Sequence, residues 1–270
     1  MSTSLKQLRA LRHQSGAAPL LLPPDPLDAQ LARLRNSLRG RRRIECSTGV
    51  AHDRLIPGRE LSPGLWLQED CLPLDVPWPE MLDGTFDRRE PIRPSDMLFF
   101  DTETTGLAGG SGTRAFMIGA ADLGPHGLCV RQLTITHMAG EAAMLDTFRG
   151  WLKPSTVLVS YNGKSYDSPL LKTRYRLMRQ GEPLTGLAHV DLLYPSRRRY
   201  RGVFENCRLA TIERRVLGIV REDDLPGSEA PGAWLGYLRG GSSQLLRRVM
   251  DHNRQDVVTL AQLALHLSAA

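Results

Sequence analysis

The apolar run Met97-Leu98-Phe99-Phe100 stops abruptly at Asp101-Thr102-Glu103. A short, aromatic-rich apolar run of this kind reads as a buried central strand, and such a strand needs a sheet around it with both faces covered. Side chains on a strand alternate between faces, so Asp101 and Glu103 share one face and Thr102 takes the other. Two carboxylates ~4 Å apart repel by about 4 kcal/mol at an effective dielectric near 20. The strand has therefore either run out into solvent, where acids cost little, or it ends at a cation held between them.

Two further acidic signals follow. Tyr161-Asn162-Gly163-Lys164-Ser165-Tyr166-Asp167-Ser168-Pro169 comes after the apolar run Val157-Leu158-Val159, a second buried strand. Ser168 as N-cap and Pro169 at the first helical position put Asp167 at a helix start, where ordinary capping also accounts for an acid. Near the C-terminus, Asp251-His252-Asn253-Arg254-Gln255-Asp256 lies within a helical pattern from about 243 to 267. His252 and Asp256 are four residues apart and share a face with the apolar stripe of Val249, Leu260 and Leu263. Polar groups on that face need partners, which a buried hydrogen bond or a catalytic pair would each supply.

Between these points the pattern reads strand at 97–103, 114–123 and 129–137, helix at 141–152, strand at 156–160, helix at 168–180, strand at 188–192, helical segments to 218, then the final helix. This predicts an α/β domain over 91–270, a mixed five-stranded sheet flanked by helices. Residues 1–90 form a basic, proline-rich extension. Within it Leu27, Leu31, Leu34 and Leu38 recur at helical spacing, so a short amphipathic helix is expected over 27–39, docking on the domain or on a protein partner. From Thr48 to Pro94, prolines interleaved with Trp66 and Trp78 predict irregular packing against the domain.

Lys plus Arg number 35 against 29 Asp plus Glu, a net charge of +6. That balance favours a polyanion such as DNA or RNA. Arginines concentrate in Arg39-Gly40-Arg41-Arg42-Arg43 and Arg197-Arg198-Arg199-Tyr200-Arg201, the second with a tyrosine available to stack on a base. A solvated arginine face is the alternative for both. Cysteines 46, 71, 129 and 207 include no Cys-x-x-Cys, which points to a reducing compartment, the cytoplasm, without structural zinc or disulfides. No stretch approaches 18 consecutive apolar residues, so no membrane span is expected. The acid-free first 24 residues, with Lys6, Arg9 and Arg12, read as an unstructured basic tail, with an organelle-import segment as the alternative.

Taken together, Phe99 to Leu107, Ala115 to Gly119, Tyr161 to Asp167, Asp191-Leu192-Leu193, Cys207-Arg208-Leu209, Leu217-Gly218-Ile219, Asp224 to Gly227 and His252 to Leu260 resemble the YprB-like branch of the DEDD exonucleases, within the RNase H-like superfamily. The likeness spans about 95 to 267. It departs from the better-known exonucleases in two places: His252 stands four residues before Asp256, where they carry Tyr at four or His at five, and Asn162 stands five before Asp167 rather than four. The extra residue leaves room for Lys164 near the site.

The resemblance implies an RNase H-like fold and a nuclease, a 3′ to 5′ exonuclease on single-stranded or frayed DNA or RNA, using two Mg²⁺ or Mn²⁺ ions. Asp101 would bridge the ions, Glu103 and Asp256 would complete one site and Asp167 the other, and His252 would act as general base. Thr104, Asn162, Lys164, Arg198 and Tyr200 are the candidate substrate contacts, with Asp191 in a supporting or structural role and His189 structural. A structure-selective endonuclease and a silent nucleic-acid-binding module on the same fold are the alternatives.

Overall fold

The computed structural model describes residues 53–74, 77–106, 112–222 and 224–269. The expected amphipathic helix at 27–39, the first arginine cluster and most of the glycine loop after Gly106 lie outside them. Strand β3 (Met97–Thr104) is an interior strand of the sheet. It pairs antiparallel with β4 (Ala115–Gly124), which turns back into β5 (Gly127–Ile135). Helix α1 (Glu141–Gly150) then carries the chain to β6 (Val157–Ser160), parallel to β3 on its other side, and α2 (Asp167–Leu177) leads to β7 (Ala188–Asp191), parallel to β6. These elements match the order read from periodicity.

The sheet has seven strands, not five, in the order β1-β2-β5-β4-β3-β6-β7. The two additions, β1 (Arg59–Ser62) and β2 (Leu65–Leu72), come from the segment expected to be irregular. Its prolines fall where sheets tolerate them: Pro63 is in the turn between the strands and Pro73 follows the last paired residue. Beyond β7 the chain forms α3 (Leu193–Tyr200), the short α4 (Leu209–Ile212) running on into a π turn at Glu213–Leu217, then α5 (Ala230–Leu238) and the long α6 (Gln244–Ser268).

The alternation along β3 divides the core in two. Leu98 and Phe100 join Phe116, Phe148, Leu171, Tyr175 and Trp234 on the α1–α2 side. Met97 and Phe99 join Val159, Val257, Leu260 and Leu263 of the α6 side. Each fully buried Phe or Leu contributes on the order of 1.5–3 kcal/mol, so slipping β3 by one residue would exchange both sets and turn the acids away from α6. The register thereby fixes which helix each carboxylate meets.

Candidate active site

Asp101 and Glu103 continue the Met97–Phe99 face and so point toward α6, while Thr102 continues the other face, where its hydroxyl donates to Asp167 at the start of α2. That helix begins at Asp167 itself, not after a Ser168 cap, and no side chain caps it. The Asp167 carboxylate is thus turned to the end of β3. The preceding loop passes close beneath it because Gly163 has no side chain: a Cβ there would lie 2.4 Å from Ser160 Oγ and 3.0 Å from Asp167 Oδ2. Asn162 takes φ 66°, a left-handed conformation that Asn tolerates better than most residues.

Asp191, fully buried at the end of β7, holds this loop in place. It accepts from the backbone N–H of Asn162 (2.7 Å), Lys164 (3.1 Å) and Leu193 (3.1 Å). His189 bonds Ser160 Oγ at 2.8 Å and packs on Phe100, and burial pulls its pKa down to about 4. Both residues support the loop from below.

On α6, Asn253 lies between His252 and Asp256, where no local sequence pattern marks it. It is fully buried, donates to Asp101 Oδ2 at 2.9 Å, and accepts from Gln132 Nε2 at 3.0 Å. Gly119 makes this approach possible, since a Cβ there would fall 2.1 Å from Asn253 Oδ1. Gly119→Ala must push Asn253 off Asp101, and overpacking of this kind costs about 1–3 kcal/mol. Urea denaturation should show that loss, and an unchanged midpoint would mean that α6 yields without cost.

Arg221 and Asp224, in the segment between the π turn and α5, complete the constellation. Asp224 Oδ1 lies 2.6 Å from His252 Nδ1. Arg221 Nη1 lies farther from this nitrogen, at 3.2 Å, and a carboxylate only accepts, so the shorter contact assigns the hydrogen to Nδ1, with Nε2 turned toward Asp256, 3.5 Å from its Oδ2. Arg221 donates to Asp256 Oδ1 and to buried Glu213, which also accepts from Thr259. A largely covered cation, its side chain 12% exposed, thus bridges the late helix to the π turn.

Asp256 and Asp167 raise the pKa of both Asp101 and Glu103. Burial, then Asp256, Asp167 and Glu103, hold Asp101 well above the usual carboxylate range, against the bond from Asn253. Glu103, 7% exposed, is pushed up to about 8 by burial and its acidic neighbours, although His252 opposes this. Burial lifts Asp167 to about 6, and lifts Asp256 despite His252 and Arg221. For His252, burial lowers the pKa, but Asp256, Asp224 and Glu103 outweigh it and the net shift is upward. Asp101 and Asp167 retain some contact with the cleft, so water moderates the burial cost at those two.

A cleft of about 440 Å³ opens beside Asp101 and Asp167, lined also by Thr104, Asn162, Tyr166 and Leu170. A second cavity of about 750 Å³ lies beyond His252, lined by Arg221, Asp224, Arg248 and Gln255. Lys164 is exposed on the loop before Asp167. Arg198 and Tyr200 lie elsewhere. Arg198 donates to the Phe86 carbonyl, and Tyr200 is buried against Phe204 with its hydroxyl 3.0 Å from His266. His266 is ten residues beyond Asp256 on α6, roughly 15 Å at 1.5 Å per residue, so Tyr200 is a core residue rather than a base-stacking platform.

The donor set is all oxygen, and its members repel one another, which suits hard divalent cations. Among the described residues, no three His, Cys, Asp or Glu side chains form a ready-made cation group. Three of the four carboxylates are engaged by protein donors, Asp101 by Asn253, Asp167 by Thr102 and Asp256 by Arg221.

This sheet, with acids at the end of an interior strand, is that of a known superfamily: a profile described as RNase_H superfamily matches residues 98–268, and the chain belongs to that family. Over 175 residues it is 37% identical to a Bacillus subtilis (strain 168) protein named "Uncharacterized protein YprB", an alignment covering 64% of this chain and 42% of the relative. The chain thus spans less than half the length of that relative. The family B DNA polymerase from the hyperthermophilic archaeon Pyrobaculum calidifontis aligns with a TM-score of 0.49 and 17% identity, over 65% of this chain and 25% of the polymerase. No helix among the described residues is long and apolar enough to cross a membrane.

Proposed function

We propose that the chain is a divalent-metal-dependent nuclease of the DEDD type, a 3′ to 5′ exonuclease on single-stranded or frayed DNA or RNA. One observation carries the reading: Asp167 and Asp256, from two other elements, lie close enough to Asp101 and Glu103 to raise the pKa of both, and Asp101 and Asp167 line an open cleft. Such mutual repulsion is retained where a cation or a reaction needs it. The basic net charge of +6 favours a polyanionic substrate.

In this reading Asp101, Glu103, Asp167 and Asp256 hold two Mg²⁺ or Mn²⁺ ions. Bound there, divalent ions supply acidification of water and neutralisation of charge at the leaving oxygen. Thr104 and Asn162 line the cleft and meet the terminal nucleotide, with Lys164 at its rim. His252 takes the proton of the attacking water at Nε2, while Asp224 on Nδ1 fixes the ring.

A 5′-labelled oligonucleotide incubated with Mg²⁺ or Mn²⁺ tests the proposal. Stepwise shortening supports it, discrete internal products indicate an endonuclease, and retention without cleavage a binding module. His252→Gln should lower kcat by ~10²–10⁴ with little change in KM, as expected for removal of a general base. Asp224→Asn should cost less, ~10–100-fold, since it acts through the imidazole. A larger loss in Asp224→Asn than in His252→Gln would reverse those roles.

A further inference from the structure

Cys71 and Cys129 lie outside the acidic site, and the chemistry above uses neither. They stand directly opposite one another on β2 and β5, within an unbroken antiparallel register from Leu65↔Ile135 to Leu72↔Leu128. Their Sγ atoms are 3.3 Å apart. Antiparallel partners have Cα separations of about 4.5–5.5 Å, inside the roughly 4.4–6.8 Å that a disulfide spans. Reaching an S–S distance near 2.05 Å needs the sulfurs to close by about 1.3 Å, a movement the side chains can make without breaking the ladder.

Access and protonation divide the roles. Cys71 is exposed and Cys129 half-buried. The hydrogen bond with Cys71, then burial, push the Cys129 thiol up, which keeps the proton on the inner sulfur and leaves the outer one to meet an oxidant. We propose that Cys71 and Cys129 form a redox-active dithiol that closes into a cross-strand disulfide on exposure to a small-molecule disulfide such as glutathione disulfide.

The exchange balances in two steps. The Cys71 thiolate attacks one sulfur of glutathione disulfide, that S–S bond breaks, and one glutathione thiolate leaves a mixed disulfide on Cys71. Cys129 gives its proton to solvent, its sulfur attacks Cys71 Sγ, and the second glutathione departs as thiolate. Two protein thiols are oxidised by two electrons, and one glutathione disulfide is reduced to two glutathiones. The new bond staples the end of β2, just before the chain leaves the sheet at Pro73, to β5 beside the β4–β5 turn. It closes a loop of 58 residues that contains Asp101 and Glu103.

The test uses the full chain, treated with glutathione disulfide or with a reductant and digested without reduction. A peptide joining Cys71 to Cys129 is expected, with an intact mass lower by the two lost hydrogens. The oxidised form should melt higher by ~5 °C or more, because the cross-link restricts the unfolded chain. Cys71→Ser should give no linked peptide and leave Cys129 open to alkylation. The proposal is overturned if both thiols stay alkylatable after oxidation, if each carries glutathione, or if Cys71 links instead to Cys207. A Cys71–Cys129 link that leaves the melting midpoint unmoved overturns the stapling.

Discussion

Asp101→Asn should reduce phosphodiester cleavage at least ~10³-fold while raising the melting temperature of the metal-free protein. The first effect follows because a bound divalent ion supplies several kcal/mol of charge stabilisation in the transition state, at about 1.36 kcal/mol per decade of rate. The second follows from the apo electrostatics. Burial and three neighbouring acids hold the Asp101 pKa well above its ordinary value, so its charge opposes folding at neutral pH. The amide keeps the oxygen that accepts from Asn253 and removes that charge.

The same cluster sets a pH dependence. Acids with raised folded pKa values bind more protons folded than unfolded, so their stability contribution is complete below the unfolded values and is lost as pH rises through the folded ones. With Asp167 at about 6 and Glu103 at about 8, the chelator-treated protein should melt at progressively lower temperature from about pH 4 to 8. Mg²⁺ or Mn²⁺ should reverse that fall, and Asp101→Asn should flatten it. Scanning fluorimetry across pH with and without chelator measures all three effects. A wild-type protein indifferent to both pH and metal would sink the cation reading of the cluster, whatever its activity.

Much of this geometry was legible because strand and helix periods carry it. The two-residue period of β3 placed Asp101 and Glu103 together facing α6, and the four-residue spacing of His252 and Asp256 placed both toward the sheet. Asn253 escaped notice because its partners are Asp101 and Gln132, distant positions that no local pattern encodes. Its visible trace was Gly119 within an apolar strand, a sign of close approach. Arg221 and Asp224 lie where no periodicity operates, and their roles come from contacts with α6 across about thirty residues. Tyr200 misled for the opposite reason. Arginines around it suggest an exposed nucleic-acid surface, but α3 turns its ring inward onto Phe204 and His266 and leaves the charges outside. Composition distinguishes a basic stretch from an acidic one, not which side of a helix the aromatic takes.

Arg221→Met should destabilise the protein by about 3 kcal/mol or more, the usual cost of removing one partner of a buried ion pair. Glu213 is only 1% exposed and holds two bonds from this guanidinium. Without it, a buried carboxylate keeps only the Thr259 hydroxyl from that set. Asp256 loses its cation in the same step. The penalty therefore has two origins, which a second substitution separates. Glu213→Leu combined with Arg221→Met removes the stranded charge and fills the space with apolar atoms, and should recover most of the loss. What it does not recover is the share belonging to Asp256, and that share should shrink on adding Mg²⁺ or Mn²⁺, which would replace the lost counter-charge. Urea unfolding of the wild type, the single variants and the double variant, with metal and with chelator, resolves these parts. A loss below about 1 kcal/mol in Arg221→Met, within the range of an exposed pair, would show that Arg221 is a surface residue passing near the site rather than the cation that holds Asp256 in place.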